Sequence, residues 1–268
     1  MKIGLIGQGA IARFVAEKLE AEGHCVSAYL LRPQRVEELR AAPVSKQSSS
    51  SVFVSAVADL PTNLDCVVDC AGHEALRDYG AAVLRAGFDL TTVSLGALAD
   101  TTLENDLRSA AAEGGRTLFL ASGAIGALDA LRAARIGTLQ KVRYVGRKPP
   151  IGWLGSPAEG QLDLQAMTGT PATHFLGSAR DAARNYPKNA NVAAAVALAG
   201  IGFDRTETEL IADPTVTTNI HEIHAEGSFG QLEFRICGNP LPGNPKSSAL
   251  AAMSVVDTVL QRVRPLKF

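Results

Sequence analysis

The sequence predicts an α/β protein of two domains: a doubly wound parallel sheet over residues 1–123 and an α+β domain over residues 124–239. A C-terminal helix within residues 240–268 is expected to return to the first domain. Three observations carry this. Short apolar runs alternate with helical stretches from Lys2 to Ala121, the pattern of a parallel sheet wrapped by helices. From Lys141 the runs become rich in β-branched residues, alternate in polarity and are parted by turn residues, which suits a mostly antiparallel sheet. From Ser247 to Val263, Leu250, Met253, Val256, Val259, Leu260 and Val263 recur at helical spacing.

The chain opens on an apolar strand, Ile3, Leu5 and Ile6, which runs into Gly7, Gln8, Gly9, Ala10 and Ile11 and then into a helical pattern through Val15 and Leu19. Gly7 permits a sharp turn, Gly9 lets the backbone approach a pyrophosphate, and the helix N-terminus presents free N–H groups to an anion. Ala12 stands where a third glycine often sits and still allows close helix-to-strand packing. Such a motif directly after a buried-looking strand points to a dinucleotide held at Gly7, Gly9, Ala10 and Ile11.

His24 to Leu31 reads as the second strand, and Arg32 follows it where NAD-specific enzymes usually carry a ribose-binding acid. Arg32 either faces a 2′-phosphate, so that NADP is accepted alongside NAD, or is a solvated loop residue. Pro43 to Ser51 reads as an irregular stretch before a strand at Val52 to Ala56. Asp65 to Asp69 is another strand, and its turn, Cys70, Ala71, Gly72 and His73, should face the same crevice as the first glycines, since ligands of these sheets sit at the carboxyl ends of strands. Ala71 and Gly72 are therefore cofactor candidates. His73, opening a helical stretch from Glu74 to Ala86, is either a capping or packing residue or a chemical one. Thr91 to Ser94 and Leu118 to Ala121 repeat the pattern, and Asp129 to Ile136 reads as the helix that carries the chain onward. Ala124 lies in the glycine-containing loop between, a plain crossover that also suits a nicotinamide ring.

In the second domain Val142 to Lys148 reads as a strand stopped by Pro149 and Pro150. Further strands are expected at Thr173 to Leu176, Thr206 to Ala212, Thr218 to Glu226 and Gly230 to Ile236. Ala179 to Tyr186 and Ala190 to Leu198 are helical in composition, interrupted by Pro187.

The 268 residues are 46% hydrophobic, enough for a sizeable core. Acids and bases are interspersed, and the formal charge of −1 argues against a nucleic-acid or anionic-membrane partner and for a small molecule. Met1 leads straight into the first strand with no signal-peptide pattern and no apolar stretch of membrane-spanning length, so a cytoplasmic location is expected. Cys25, Cys66, Cys70 and Cys237 read as small buried hydrophobes. No metal site is expected: only His221 and His224 lie together, and on a strand they point to opposite faces, His221 with Ile223 and His224 with Glu222. A single histidine on such a strand suits general acid or base work near neutral pH.

Taken together, GQGAIA, DCAGHEAL, SLGAL, SGAIGALDAL, GRKPP, YPKNANVAAA, LIADP, NIHEI and GNPKSSAL, in that order, resemble the L-aspartate dehydrogenase family almost end to end. The resemblance implies a Rossmann domain plus an α+β domain carrying the substrate site and the contact of a homodimer. It implies that Ala124 and Asn191 contact NAD or NADP and that His221 is the active-site residue. Asn191 suits the nicotinamide carboxamide, and a helix N-cap is its other reading. The implied reaction oxidises L-aspartate to an iminium that water converts to oxaloacetate and ammonia, with His221 as proton carrier and an alkaline optimum because hydride loss needs the neutral amine. It also implies that iminoaspartate feeds NAD biosynthesis. Arg147, Lys148, Lys188 and Lys246 are the motif-borne cations available for two substrate carboxylates, and spacing does not choose among them. Two rivals stand beside this reading. One is a reductase of cyclic imines, whose expected histidine pair with a nearby lysine is missing; the other is a nucleotide sensor without turnover, which needs neither His221 nor the NYPKNANV stretch.

Overall fold

The computed structural model describes residues 1–41, 51–187 and 190–267, with the side chains of Pro245 and Lys246 left aside. The stretch expected to be irregular, Pro43 to Ser51, lies outside the described residues except for Ser51. The chain forms two compact units, one of Met1–Ala121 with Ala252–Phe268 and one of Ser122–Ala251.

The first unit runs β1 (Lys2–Ile6), α1 (Ala10–Ala21), β2 (Cys25–Leu30), α2 (Pro33–Ala41), β3 (Val52–Val54), β4 (Cys66–Asp69), α3 (His73–Arg85), β5 (Leu90–Thr92), α4 (Thr101–Gly114) and β6 (Leu118–Leu120). Its six strands are all parallel in the order β3-β2-β1-β4-β5-β6, so the order reverses between β1 and β4. In an open α/β sheet that reversal leaves a crevice beyond the carboxyl ends of the strands. Strands buried on both faces read as continuous apolar runs, as Cys66–Asp69 does, and the helices cover them with apolar stripes such as Ala12, Val15, Ala16 and Leu19 of α1. Asp100 caps α4 by accepting from the N–H groups of Thr102 and Leu103, and Gly115 ends it in the left-handed conformation.

The second unit runs α5 (Leu128–Ala134), β7 (Leu139–Lys148), β8 (Ala172–Ser178), α6 (Ala179–Asn185), α7 (Asn191–Ala199), β9 (Glu207–Ala212), β10 (Asn219–Gly227), β11 (Gly230–Gly238), β12 (Pro240–Leu241) and β13 (Asn244–Ser248). Its main sheet has the order β11-β10-β7-β9-β8, antiparallel throughout except for the parallel pair β7 and β9. On β7, Tyr144, Gly146 and Lys148 share one face by alternation, and the β10 register sets Ile223 opposite Tyr144 and His221 opposite Gly146. Helix α7 lies on that same face: a side chain at Gly200, its C-cap, would meet Val142, which alternates with Tyr144.

The last helix, α8 (Ala249–Leu260), is shorter than the expected C-terminal helix. Residues 240–248 instead form the ribbon of β12 and β13, because Gly243 supplies a left-handed turn residue (φ 76°) between them. From Ala252 onward the helix belongs to the first unit, where Arg262 bonds to Asp89 at 2.6 Å and lies over Phe119.

Cys66 and Cys70 are buried, but Cys25 and Cys237 are exposed. Cys25 starts β2, and Cys237 points outward near the end of β11, the edge strand. Among the described residues no helix is long and apolar enough to cross a membrane.

Candidate active site

In the first unit the turn between β1 and α1 has the shape a phosphate requires. Gly7 sits at φ 91°, and a side chain there would come within 2.7 Å of Ala71 Cβ. Gly9, the N-cap of α1, has nothing within 4 Å of where a side chain would begin, so its backbone is open to a ligand. Ala10 and Ile11 form the first turn of α1. A cavity of about 270 Å³ opens beside Gly7 and is lined by Leu30, Arg32, Arg35, Ala71 and Glu74, among others. Of the expected cofactor residues, Gly7, Arg32 and Ala71 therefore meet at one cavity, while Gly72 (φ 96°) caps α3 beside it. Glycine backbone, a helix N-terminus and adjoining arginines suit a dinucleotide pyrophosphate and ribose.

Two residues of this region escaped the sequence reading. Arg35, from α2, lines the cavity and bonds to the side chains of Gln8 and Glu38. Asp69, fully buried at the end of β4, accepts from the Ala71 N–H at 2.9 Å, the Thr92 hydroxyl at 2.8 Å and the Ser94 hydroxyl at 2.7 Å. Burial raises its carboxyl above the ordinary value against the pull of those donors. An acid closing an otherwise apolar run was the available signal, and its function is to tie the turns after β4 and β5 together.

In the second unit His221 is buried on the β7–β10 face, with Nδ1 2.8 Å from the Tyr144 hydroxyl. The phenol donates to Nδ1 in one imidazole tautomer and accepts from it in the other. Burial first, and the charge of Lys148 second, pull His221 down to about 3, so its imidazole is neutral at working pH. Burial also raises Tyr144, keeping it a phenol. Lys148 Nζ lies 4.9 Å from the centre of the Trp153 ring, and burial lowers its pKa to about 8. Next to it stands a second buried histidine, His174 of β8, edge-on to Trp153 at 4.4 Å and 3.1 Å from the Tyr186 hydroxyl. His174 is held at about 4 by burial and by Lys148, and its Nε2 has no hydrogen-bond partner among the described residues.

Alternation along β7 separates the two neighbouring cations. Arg147 points away from His221 and pairs with buried Asp213 at 2.8 Å. Burial alone would raise Asp213, but two bonds from Thr215 and the Arg147 guanidinium hold it below its ordinary value. Lys188 lies outside the described residues, as does the side chain of Lys246. Asn191 is the first residue of α7, with Ala190 as the N-cap, so the capping position falls one residue earlier than the alternative reading of Asn191 required. Ala124 is buried just after Gly123 (φ 74°). His224 is half-exposed on the outer face, 3.8 Å from Glu233, and His73 opens α3.

Comparison with known proteins agrees with both halves. Residues 129–262 match the family model described as aspartate dehydrogenase, C-terminal, and residues 7–121 match that of the homoserine dehydrogenase NAD-binding domain. The chain is 55% identical to the L-aspartate dehydrogenase of Ruegeria pomeroyi, covering 99% of this chain and 94% of the relative. It is 45% identical to that of Ralstonia nicotianae over 96% of this chain and 95% of the relative. Among solved structures it is similar to aspartate dehydrogenase from Thermotoga maritima, with a TM-score of 0.73 at 25% identity, covering 100% and 99% of the two chains. The fold is also that of a hyperthermophilic archaeal homoserine dehydrogenase in complex with NADPH, with a TM-score of 0.59 at 12% identity, covering 97% and 96%.

Proposed function

The chain belongs to the L-aspartate dehydrogenase family, and on that premise we propose that it catalyses the NAD(P)-dependent oxidative deamination of L-aspartate through iminoaspartate to oxaloacetate and ammonia. The observation that carries the reading is the buried face bearing His221, Tyr144 and Lys148, which offers a neutral imidazole, a phenol and an amine to a polar substrate. Gly7, Gly9, Ala10, Ile11, Ala71 and Gly72 hold the dinucleotide, Arg32 accommodates a 2′-phosphate, and Ala124 and Asn191 contact the nicotinamide. When bound, NAD(P) accepts the hydride that leaves the substrate Cα.

His221 is the active-site residue. Neutral at working pH and bonded to Tyr144 through Nδ1, it has Nε2 left to hydrogen-bond the water that adds to the imine and to pass a proton during ammonia loss. Tyr144 holds the imidazole by Nδ1 and so fixes the direction of Nε2. The second unit carries the substrate site and the contact of a homodimer, and the enzyme works in the cytoplasm, where iminoaspartate is drawn off for NAD biosynthesis.

The test is reduced-cofactor absorbance with L-aspartate, other amino acids and cyclic imines, with NAD and with NADP, for wild type and His221→Ala. Turnover confined to L-aspartate, falling by about 10²–10⁴ in the variant while cofactor still binds, is expected. Turnover of a cyclic imine alone, or cofactor binding with no turnover of any substrate, would overturn it.

A further inference from the structure

Four motif-borne cations compete for contact with the substrate, and the geometry separates two of them. Arg147 and Lys148 are neighbours on β7 and so point to opposite faces of the sheet. Arg147 is spent in its ion pair with Asp213. Lys148 shares its face with Gly146, opposite His221, and with Tyr144, whose hydroxyl reaches His221. The Lys148 stem is fixed: a side chain on Gly152 would begin 3.3 Å from its Cβ, and its ammonium lies over Trp153.

Resting on the aspartate reading above, we propose that Lys148 takes the proton from the substrate ammonium before oxidation, while Arg147 plays no part in substrate contact. One N–H bond of the substrate ammonium breaks, a new N–H bond forms on the neutral Lys148 amine, and the electron pair of the broken bond stays on the substrate nitrogen. No electron changes hands in this step, and the freed lone pair is what hydride loss from Cα requires. When the C–N bond later breaks, the proton passes back through His221 to the departing ammonia and Lys148 is again neutral.

The surroundings suit an amine that gives up its proton. Among the described residues, the titratable groups facing Lys148 include His221 on β10, His174 on β8, Tyr144 on β7 itself and, beyond Trp153, Tyr186. The Asp213 carboxylate lies just after β9 but is committed to Arg147 and Thr215. Burial brings Lys148 to about 8, so a large fraction is neutral at mildly alkaline pH. His221, held at about 3, is a far weaker proton store there.

The experiment measures kcat and KM for L-aspartate between about pH 6 and 10 in wild type, Lys148→Met and Lys148→Arg, with reduced-cofactor binding as a check of folding. Both variants should lose about 10²–10⁴ in kcat with KM little changed, arginine failing despite its charge because it cannot deprotonate. Lys148→Arg retaining kcat within about tenfold, or a loss that falls on KM alone, would overturn the proposal and make Lys148 a carboxylate clamp. Wild-type holoenzyme supplies a second readout if the variants do not fold: Lys148 labelling by an amine-reactive ester, followed by mass spectrometry, should reach half its maximum near pH 8 and be blocked by L-aspartate. A midpoint above about pH 10, as for an ordinary lysine, would overturn it. Wild type that fails to turn over L-aspartate would instead sink the substrate reading, which separates the two failures.

Discussion

The Tyr144 hydroxyl and His221 Nδ1 are 2.8 Å apart, and the phenol reaches that position across Gly146, where a side chain would begin only 2.7 Å from its oxygen. The pair is built from two strands 77 positions apart in the chain, and glycine is the residue that leaves room for it. Tyr144→Phe keeps the ring and removes the bond. It should lower kcat by about threefold to tenfold, the worth of one hydrogen bond, with KM for cofactor unchanged. Gly146→Ala should act in the same direction by displacing the hydroxyl. Steady-state kinetics of the two variants check this, and an unaltered kcat in both would remove Tyr144 from the chemistry.

Stability should fall on the acid side through the two buried histidines. Both have folded values, about 3 for His221 and about 4 for His174, below the 6.5 of the unfolded chain. Between those limits the unfolded chain binds protons that the folded chain refuses. The stabilisation is therefore fully present above about pH 6.5 and is lost progressively as pH falls through about 4 for His174 and about 3 for His221. Thermal melts from neutral pH downward should show Tm dropping over that window, with a shallower slope in His174→Gln. An equal slope in that variant would assign the effect elsewhere.

Cofactor preference should respond to the two arginines at the first-unit cavity. Arg32 is highly exposed and only 3.4 Å from Glu74, a weak pair easily exchanged for a phosphate. Arg32→Ala and Arg35→Ala should each raise KM for NADP by about tenfold and leave KM for NAD nearly unchanged. Equal effects on both cofactors would mean that neither arginine reads the 2′-phosphate.

Asp69 should be a stability residue. Asp69→Ala leaves the Ala71 N–H and the Thr92 and Ser94 hydroxyls without their acceptor in a buried place. The cost should be about 3 kcal/mol, seen as a lower denaturant midpoint, and cofactor affinity should fall because the turn carrying Ala71 and Gly72 loosens. A midpoint within about 0.5 kcal/mol of wild type would contradict this role.

What the sequence by itself determined was whatever depends on neighbours along the chain. The alternation of apolar runs and helical stretches placed the six-strand parallel sheet, the glycine turn marked the carboxyl end of its first strand, and period-two alternation on β10 set His221 and His224 on opposite faces, of which burial chose His221 as the inward one. The C-terminal helix was legible from its apolar spacing, but its start was not, because residues 240–248 pair as a ribbon that a helical count reads through. Only the tertiary structure decided what stands beside what across strands. Register between β7 and β10 brings Tyr144 to His221, and the next residues of β7 send Lys148 to the His221 face and Arg147 to Asp213. Asp69 and Arg35 likewise gained their partners from strands and loops far away in the chain. The physical reason is that side-chain direction is set locally by backbone period, whereas the burial and charge that shift a pKa are set by residues the chain returns to the same place.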